Sequence, residues 1–199
     1  MLFEVERKRE LTDTAALLAK LSEMGYRKTG HLNEVDTYFS RPDVDYMETV
    51  ECLRVRSRDD FAEVTYKPPT NAQNRSSAGI IVKPETNVAL AGVDQAEAAN
   101  QLMAAIGMRE LARVEKFRAT FVNPDLARTT ITIDVIAGVG TYVETEILAH
   151  DADSAGAQIG HIEAELGISE LPIVTSPYRD LVMSNSENVA AARTSPLEE

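Results

Sequence analysis

Apolar residues recur with a helical period in four places, and between them they alternate with polar residues in the way a strand requires. From Thr12 to Met24 the positions Ala15, Leu17, Leu18, Leu21 and Met24 form one stripe, with Thr12 or Asp13 as a cap and Gly25 as a stop. Asp94 to Ile106 repeats the plan, with Ala99, Leu102, Met103 and Ile106 inward and Gly107 following. Ser154 to Leu166 predicts a third helix on Ile159, Ile162 and Leu166, ended by Gly167, and Ser176-Pro177 opens a short fourth. Strands are predicted at Leu2–Glu10, His31–Phe39, Cys52–Arg58, Phe61–Lys67, Ile80–Val88, Arg113–Phe121, Arg128–Val135 and Tyr142–Ala149. The fold class is therefore α+β: an eight-stranded antiparallel β-barrel with helices packed outside, since closure removes exposed edges. A folded domain over 1–184 and a flexible polar tail over 185–199 complete the expected organisation.

What sets these strands apart is the chemistry of their polar face. Side chains alternate across a strand, so Glu4, Glu6 and Lys8 share one face and Phe3 and Val5 the other. The same holds for Arg54 and Arg56, for Lys116 and Arg118, and for Glu144 and Glu146, with Asp134 opposite Ile133 and Val135. One such strand reads as a solvated face. Repetition over four strands reads differently, because the amphipathic helices need the apolar strand faces to cover, which turns the charged faces toward the lumen. Carboxylates and cations enclosed together are costly unless a ligand satisfies them, so the lumen is a candidate site.

The charges define the ligand. Lys8, Arg54, Arg56, Lys67, Lys83, Lys116 and Arg118 can together neutralise a polyphosphate, with arginine forks matching its oxygens. Glu4, Glu6, Glu144 and Glu146 offer hard oxygen ligands suited to Mg²⁺ or Mn²⁺. His31, His150 and His161 are too far apart to predict a zinc site, and Gly138-Val139-Gly140 lacks the lysine and hydroxyl of a Walker loop, so it reads as a turn.

Composition narrows the surroundings. The chain has 199 residues and a formal net charge of −12, which disfavours nucleic acid and anionic membranes as partners. The lone Cys52 predicts a buried, inert thiol, and with no apolar stretch of signal-peptide or membrane-span length the expected location is cytoplasmic. Dimerisation through the helices fits these patterns as well.

An ordered set of short motifs resembles the CYTH domain, the superfamily of triphosphate tunnel metalloenzymes that includes class IV adenylyl cyclases and thiamine triphosphatases. The set comprises Glu4-x-Glu6-x-Lys8, Asp36-Thr37-Tyr38-Phe39, Leu53-Arg54-Val55-Arg56, Thr65-Tyr66-Lys67, Glu115-Lys116-Phe117-Arg118, Ile133-Asp134, Gly138 through Glu146, and Ser176-Pro177-Tyr178-Arg179-Asp180-Leu181. The resemblance implies a tunnel in which basic residues hold a triphosphate and acidic residues hold a divalent metal. Lys83-Pro84-Glu85 occupies the place of a basic-x-acidic motif, which adds Glu85 to the metal candidates, although Asn87 stands where many members have another acid. Lys8, Lys67 and Asp134 are the candidates for catalysis. The expected activity is that of an adenylyl cyclase, ATP to cyclic AMP and pyrophosphate; the alternatives are a thiamine or inorganic triphosphatase acting on thiamine triphosphate or tripolyphosphate, and a noncatalytic polyphosphate-binding module.

Overall fold

In a computed structural model, the structure describes residues 3–59, 61–69 and 86–194, with Phe3, Glu4 and 187–194 as backbone only. Its elements run β1 (Phe3–Glu10), α1 (Thr14–Glu23), β2 (Arg27–Ser40), β3 (Cys52–Arg58), β4 (Phe61–Lys67), β5 (Thr86–Ala89), α2 (Gln95–Ala105), β6 (Arg109–Val122), β7 (Thr129–Ile136), β8 (Gly140–Ala149), α3 (Ala152–Leu166) and α4 (Tyr178–Thr194). The eight strands form one antiparallel sheet in the order β1-β8-β7-β6-β2-β3-β4-β5. Among the described residues no ladder joins β1 to β5, so hydrogen bonds do not close the barrel. Curvature closes it instead: side chains from β1, at one end of that order, and from β4, next to the other, line one cavity.

The alternation predicted β3 and β4 at their observed limits. β2 and β6 are longer than predicted. β2 begins at Arg27 because a bulge between Lys28 and Gly30 absorbs the break in alternation at Gly30 and lets pairing with β6 continue. β6 begins at Arg109 because Gly107, at φ 88°, ends α2 and leaves the chain free to extend at once. Of the predicted strand at Ile80–Val88, residues 80–85 lie outside the described residues, and β5 spans Thr86–Ala89.

Three helices cover the outer face. Asp13 caps α1 by accepting from Ala16 N at 2.9 Å, and Asp151 caps α3 by accepting from Ser154 N at 2.9 Å. Leu17 and Leu21 of α1 and Ile159, Ile162 and Leu166 of α3 pack against Val5, Ile131, Ile133, Val143 and Ile147. A second cluster lies under α2, whose buried residues are Ala96, Ala99 and Met103. The predicted inward stripe is thus turned: Leu102 and Ile106 are 57% and 64% exposed. The small side chains of Ala96 and Ala99 let α2 sit close on β3 and β4, and that close approach sets the face it buries.

α4 packs elsewhere. Tyr178, Leu181 and Val182 cluster with Val114, Ile136 and Tyr142, which by register share a face with Lys116, Asp134 and Glu144. This helix therefore lies against the lumen side, where the prediction put every helix outside. It also runs to Thr194, through the first ten residues of the predicted tail. Asn185 Nδ2 donates to Gly138 O at 2.7 Å, and Ala190–Ala192 and Arg193 are strong helix formers.

Two ion pairs that share one buried carboxylate escaped the sequence reading. Arg7 and Arg9, on the outer face of β1, both reach Glu163 Oε2 of α3 at 2.8 Å, and Glu163 is 1% exposed. The segment after α3 then runs along the outer edge of β1. Glu10 N donates to Pro172 O at 3.0 Å, and Val174 N donates to Lys8 O at 2.9 Å.

Candidate active site in the tunnel

A cavity of about 500 Å³ occupies the lumen, within the range of small-molecule sites. β1 contributes Glu6 and Lys8, β3 contributes Arg54 and Arg56, β4 contributes Lys67, β6 contributes Lys116 and Arg118, and β8 contributes Glu144. Period-2 geometry brings these together, since each lies an even number of residues from its partner on the same strand. Of the remaining sequence candidates, Asp134 is fully buried behind Arg118 and outside the lining. Glu146 pairs across the ladder with Glu6 but likewise does not line the cavity. Lys83 and Glu85 lie outside the described residues, as does the side chain of Glu4.

The arginines are held by carboxylates. Arg118 Nε and Nη2 donate to Asp134 at 2.7 and 2.5 Å, and Nη2 also reaches Glu144. Arg56 grips Asp36 in the same forked manner, at 2.6 and 2.7 Å, and lies 2.8 Å from Glu34, which also meets Lys116 Nζ at 2.6 Å. Such two-point pairs fix the guanidinium plane as well as its charge. Glu34 and Asp36, each 3% exposed, were not among the predicted site residues. Their shared parity on β2 was the available signal. Glu63 joins the lining by the same parity on β4.

Tyr178 enters from α4, beyond the reach of any strand argument. Its hydroxyl donates to Asp134 Oδ2 at 2.9 Å, and its ring lies 4.1 Å from Lys8 Nζ and 5.6 Å from Lys116 Nζ. Lys8 Nζ also donates to Ser176 O at 2.7 Å. Burial lowers the Lys8 pKa, an effect partly offset by the carboxylates of Glu144, Glu6 and Asp134. Burial, reinforced by Glu144 and Asp134, pushes the Tyr178 phenol far up, so it stays a proton donor. Cys52 is half-buried, and burial raises its thiol pKa.

For Asp36, burial pushes the pKa up, but the hydrogen bond from Arg56 and the charges of Arg56, Arg54 and Lys116 outweigh it and hold the carboxyl below its ordinary value of 3.8. A depressed carboxylate stabilises the fold above its unfolded pKa, and that contribution fades as pH falls through the folded one. The melting temperature is therefore expected to drop as pH falls below about 4. In Asp36→Asn that acid limb should flatten, and circular-dichroism melts showing an identical limb in the variant would count against the assignment.

Among the described residues no three His, Cys, Asp or Glu side chains converge into a ready-made metal cage. Glu6, exposed in the cavity, and Glu144 still suit Mg²⁺ or Mn²⁺, which take one or two carboxylates and complete their shell with phosphate oxygens. Among the described residues no helix is long and apolar enough to cross a membrane.

Comparison with known proteins agrees with this architecture. A Methanocaldococcus jannaschii protein named "putative adenylate cyclase" is 27% identical over 184 residues, covering 90% of this chain and 98% of its own length. The PH1012 protein of Pyrococcus horikoshii superposes with a TM-score of 0.71 at 20% identity, over 90% of this chain and 99% of that one. A Hippeastrum protein, described as a "putative adenylyl cyclase" with a dominant triphosphatase activity, superposes at 0.62 with 16% identity, over 99% and 100%. The family model described as the CYTH domain matches residues 2–178, and the chain belongs to that family.

Proposed function

We propose that this chain is a divalent-metal-dependent enzyme acting on a triphosphate held in the tunnel, with cyclisation of ATP to cyclic AMP and pyrophosphate as its first reading. One observation carries the triphosphate. Among the described residues the cavity gathers seven cations, Lys8, Arg54, Arg56, Lys67, Lys116, Arg118 and Arg179, against five carboxylates, in a chain whose net charge is −12. A local reversal of sign against that background concentrates anions in the cavity. The arginine forks suit non-bridging phosphate oxygens, and the carboxylates behind them hold the forks in place before a ligand arrives.

Bound through Glu6 and Glu144, Mg²⁺ or Mn²⁺ would neutralise phosphate charge and lower the pKa of a coordinated hydroxyl or water. The chain supplies the positioning, which is most of what phosphoryl and nucleotidyl transfer require. In this reading Lys8 and Lys67 touch the phosphates. Asp134 acts at one remove, orienting Arg118 and Tyr178, because it is fully buried behind them. Cyclisation requires the ribose 3′-oxygen in line with the α-phosphorus while pyrophosphate leaves. Hydrolysis requires water in line with the γ-phosphorus. The second outcome, a triphosphatase, is favoured by a lining in which charged residues predominate, which grips a polyphosphate whatever its head.

Product identification separates these. With Mg²⁺ or Mn²⁺ and ATP, thiamine triphosphate or tripolyphosphate, cyclic AMP with pyrophosphate is the expected product from ATP. Orthophosphate instead would establish the triphosphatase. Binding without turnover of any of the three would make the protein a polyphosphate-binding module.

A further inference from the structure

Arg9 is 6% exposed, on the face of β1 opposite the lumen, and its guanidinium bridges two elements. Nη2 donates to Glu163 Oε2 of α3 at 2.8 Å, and Nη1 donates to the carbonyl of Leu171. Leu171 begins a strap, residues 171–176, that runs antiparallel beside β1, with Ile173 bridged to Arg9. From there the strap holds Lys8 twice: Val174 N donates to its carbonyl at 2.9 Å, and Ser176 O accepts from its Nζ at 2.7 Å. Two residues on, Tyr178 sets its ring 4.1 Å from the same ammonium. A continuous chain of contacts thus joins a carboxylate outside the barrel to a cation inside it.

Stability alone does not account for this pair. Arg9 Nε and Glu163 Oε1 are buried and find no hydrogen-bond partner among the described residues. A buried ion pair with unmet polar atoms is often matched in stability by packed apolar side chains. What the guanidinium adds is a planar fork that holds two acceptors at a set angle, here Glu163 and the Leu171 carbonyl. We propose that Arg9, seated by Glu163, is a positioning residue for the tunnel: it fixes the strap that aims the Lys8 ammonium at the phosphates. This rests on the triphosphate reading of the tunnel. Arg7 supplies the contrast, since it reaches the same Glu163 oxygen at 2.8 Å yet makes no bond to the strap among the described residues.

Arg9→Ala would leave Glu163 buried with Arg7 alone and endanger the fold, so the working variant is Arg9→Lys, which keeps the charge and gives up the fork. Arg7→Ala is its companion, and thermal melts show that both are folded. Two readouts are taken on the full chain: the Lys8 side-chain resonances by NMR after ¹³C,¹⁵N-lysine labelling, and the dissociation constant for tripolyphosphate with Mg²⁺ by calorimetry. Arg9→Lys should shift the Lys8 signal and weaken tripolyphosphate by about tenfold, the worth of one charged hydrogen bond. Arg7→Ala should leave the Lys8 signal in place and the affinity within about twofold of the parent. An unmoved Lys8 signal or an unchanged affinity in Arg9→Lys would overturn the proposal. Equal changes in both variants would overturn it too, because loss of the α3 anchor in general would then suffice. A parent chain that binds no tripolyphosphate would overturn the triphosphate reading, and the aim at phosphates with it, while the Lys8 signal decides the positioning by itself.

Discussion

Replacing Arg118 by alanine should cost about 3 kcal/mol of folding stability, as expected when one partner of a buried ion pair is removed. The reason lies in what stays behind. Asp134 is fully buried and, among the described residues, would keep the side-chain hydrogen bond from Tyr178, while Glu144 would lose the cation bonded to it. Triphosphate affinity should fall as well, because the guanidinium lines the cavity. Arg118→Lys should restore charge without the fork and recover only part of either loss. Urea denaturation and ligand titration on both variants check this. A lysine variant equal to the parent in both would show that the planar geometry is unimportant.

Glu6→Ala should behave in the opposite way, leaving the fold intact and removing turnover. Glu6 is exposed within the cavity, and surface substitutions of that kind typically change stability by no more than about 0.5 kcal/mol. If Glu6 holds the metal, metal-dependent turnover should fall by about 100-fold or more. Activity is followed across a Mg²⁺ and Mn²⁺ titration, with a thermal melt as the control for folding. Undiminished turnover at low metal would remove Glu6 from the metal site.

The two variants differ because the charged positions, alike in sequence, occupy different depths. Alternation was enough to place Glu6, Lys8, Arg54, Arg56, Lys116, Arg118 and Glu144 around one lumen, since parity along a strand decides the face with no further information. Parity cannot tell how deep a residue lies. Asp134 and Glu146 share the lumen face, yet Asp134 is sealed behind Arg118 and Glu146 falls outside the cavity, because the curvature of the sheet and the seating of α4 decide which rungs reach open space. Nor can parity see groups that come from helices and turns. Tyr178 and Arg179 arrive on α4 and Glu51 on a turn, each placed by contacts more than a dozen residues away in the chain.

Helices show the same boundary between local and distant information. The α1 cap and the glycine stops were legible, and Gly25 and Gly167 do adopt positive φ, at 80° and 74°, whereas α3 starts at Ala152 under an Asp151 cap, ahead of the predicted Ser154. Which face of a helix turns inward depends on its neighbour. α3 buries its predicted stripe, whereas α2 buries two alanines and leaves Leu102 and Ile106 outside. Small residues allow close approach to a sheet, an advantage no hydrophobicity pattern displays.

The pairing of β1 bears on the order in which the molecule can be built. Of the eight strands this one is made first, but its ladder partner is β8 and its outer edge is covered by residues 172–174. At typical synthesis rates it waits on the order of 10 s for those partners to emerge. Glu6 and Lys8 consequently join the cavity only after the strands bearing the arginines have been made. A nascent chain halted before residue 172 would leave β1 with a bare edge and Lys8 without Ser176, so partial products of translation would carry an open sheet and no complete site.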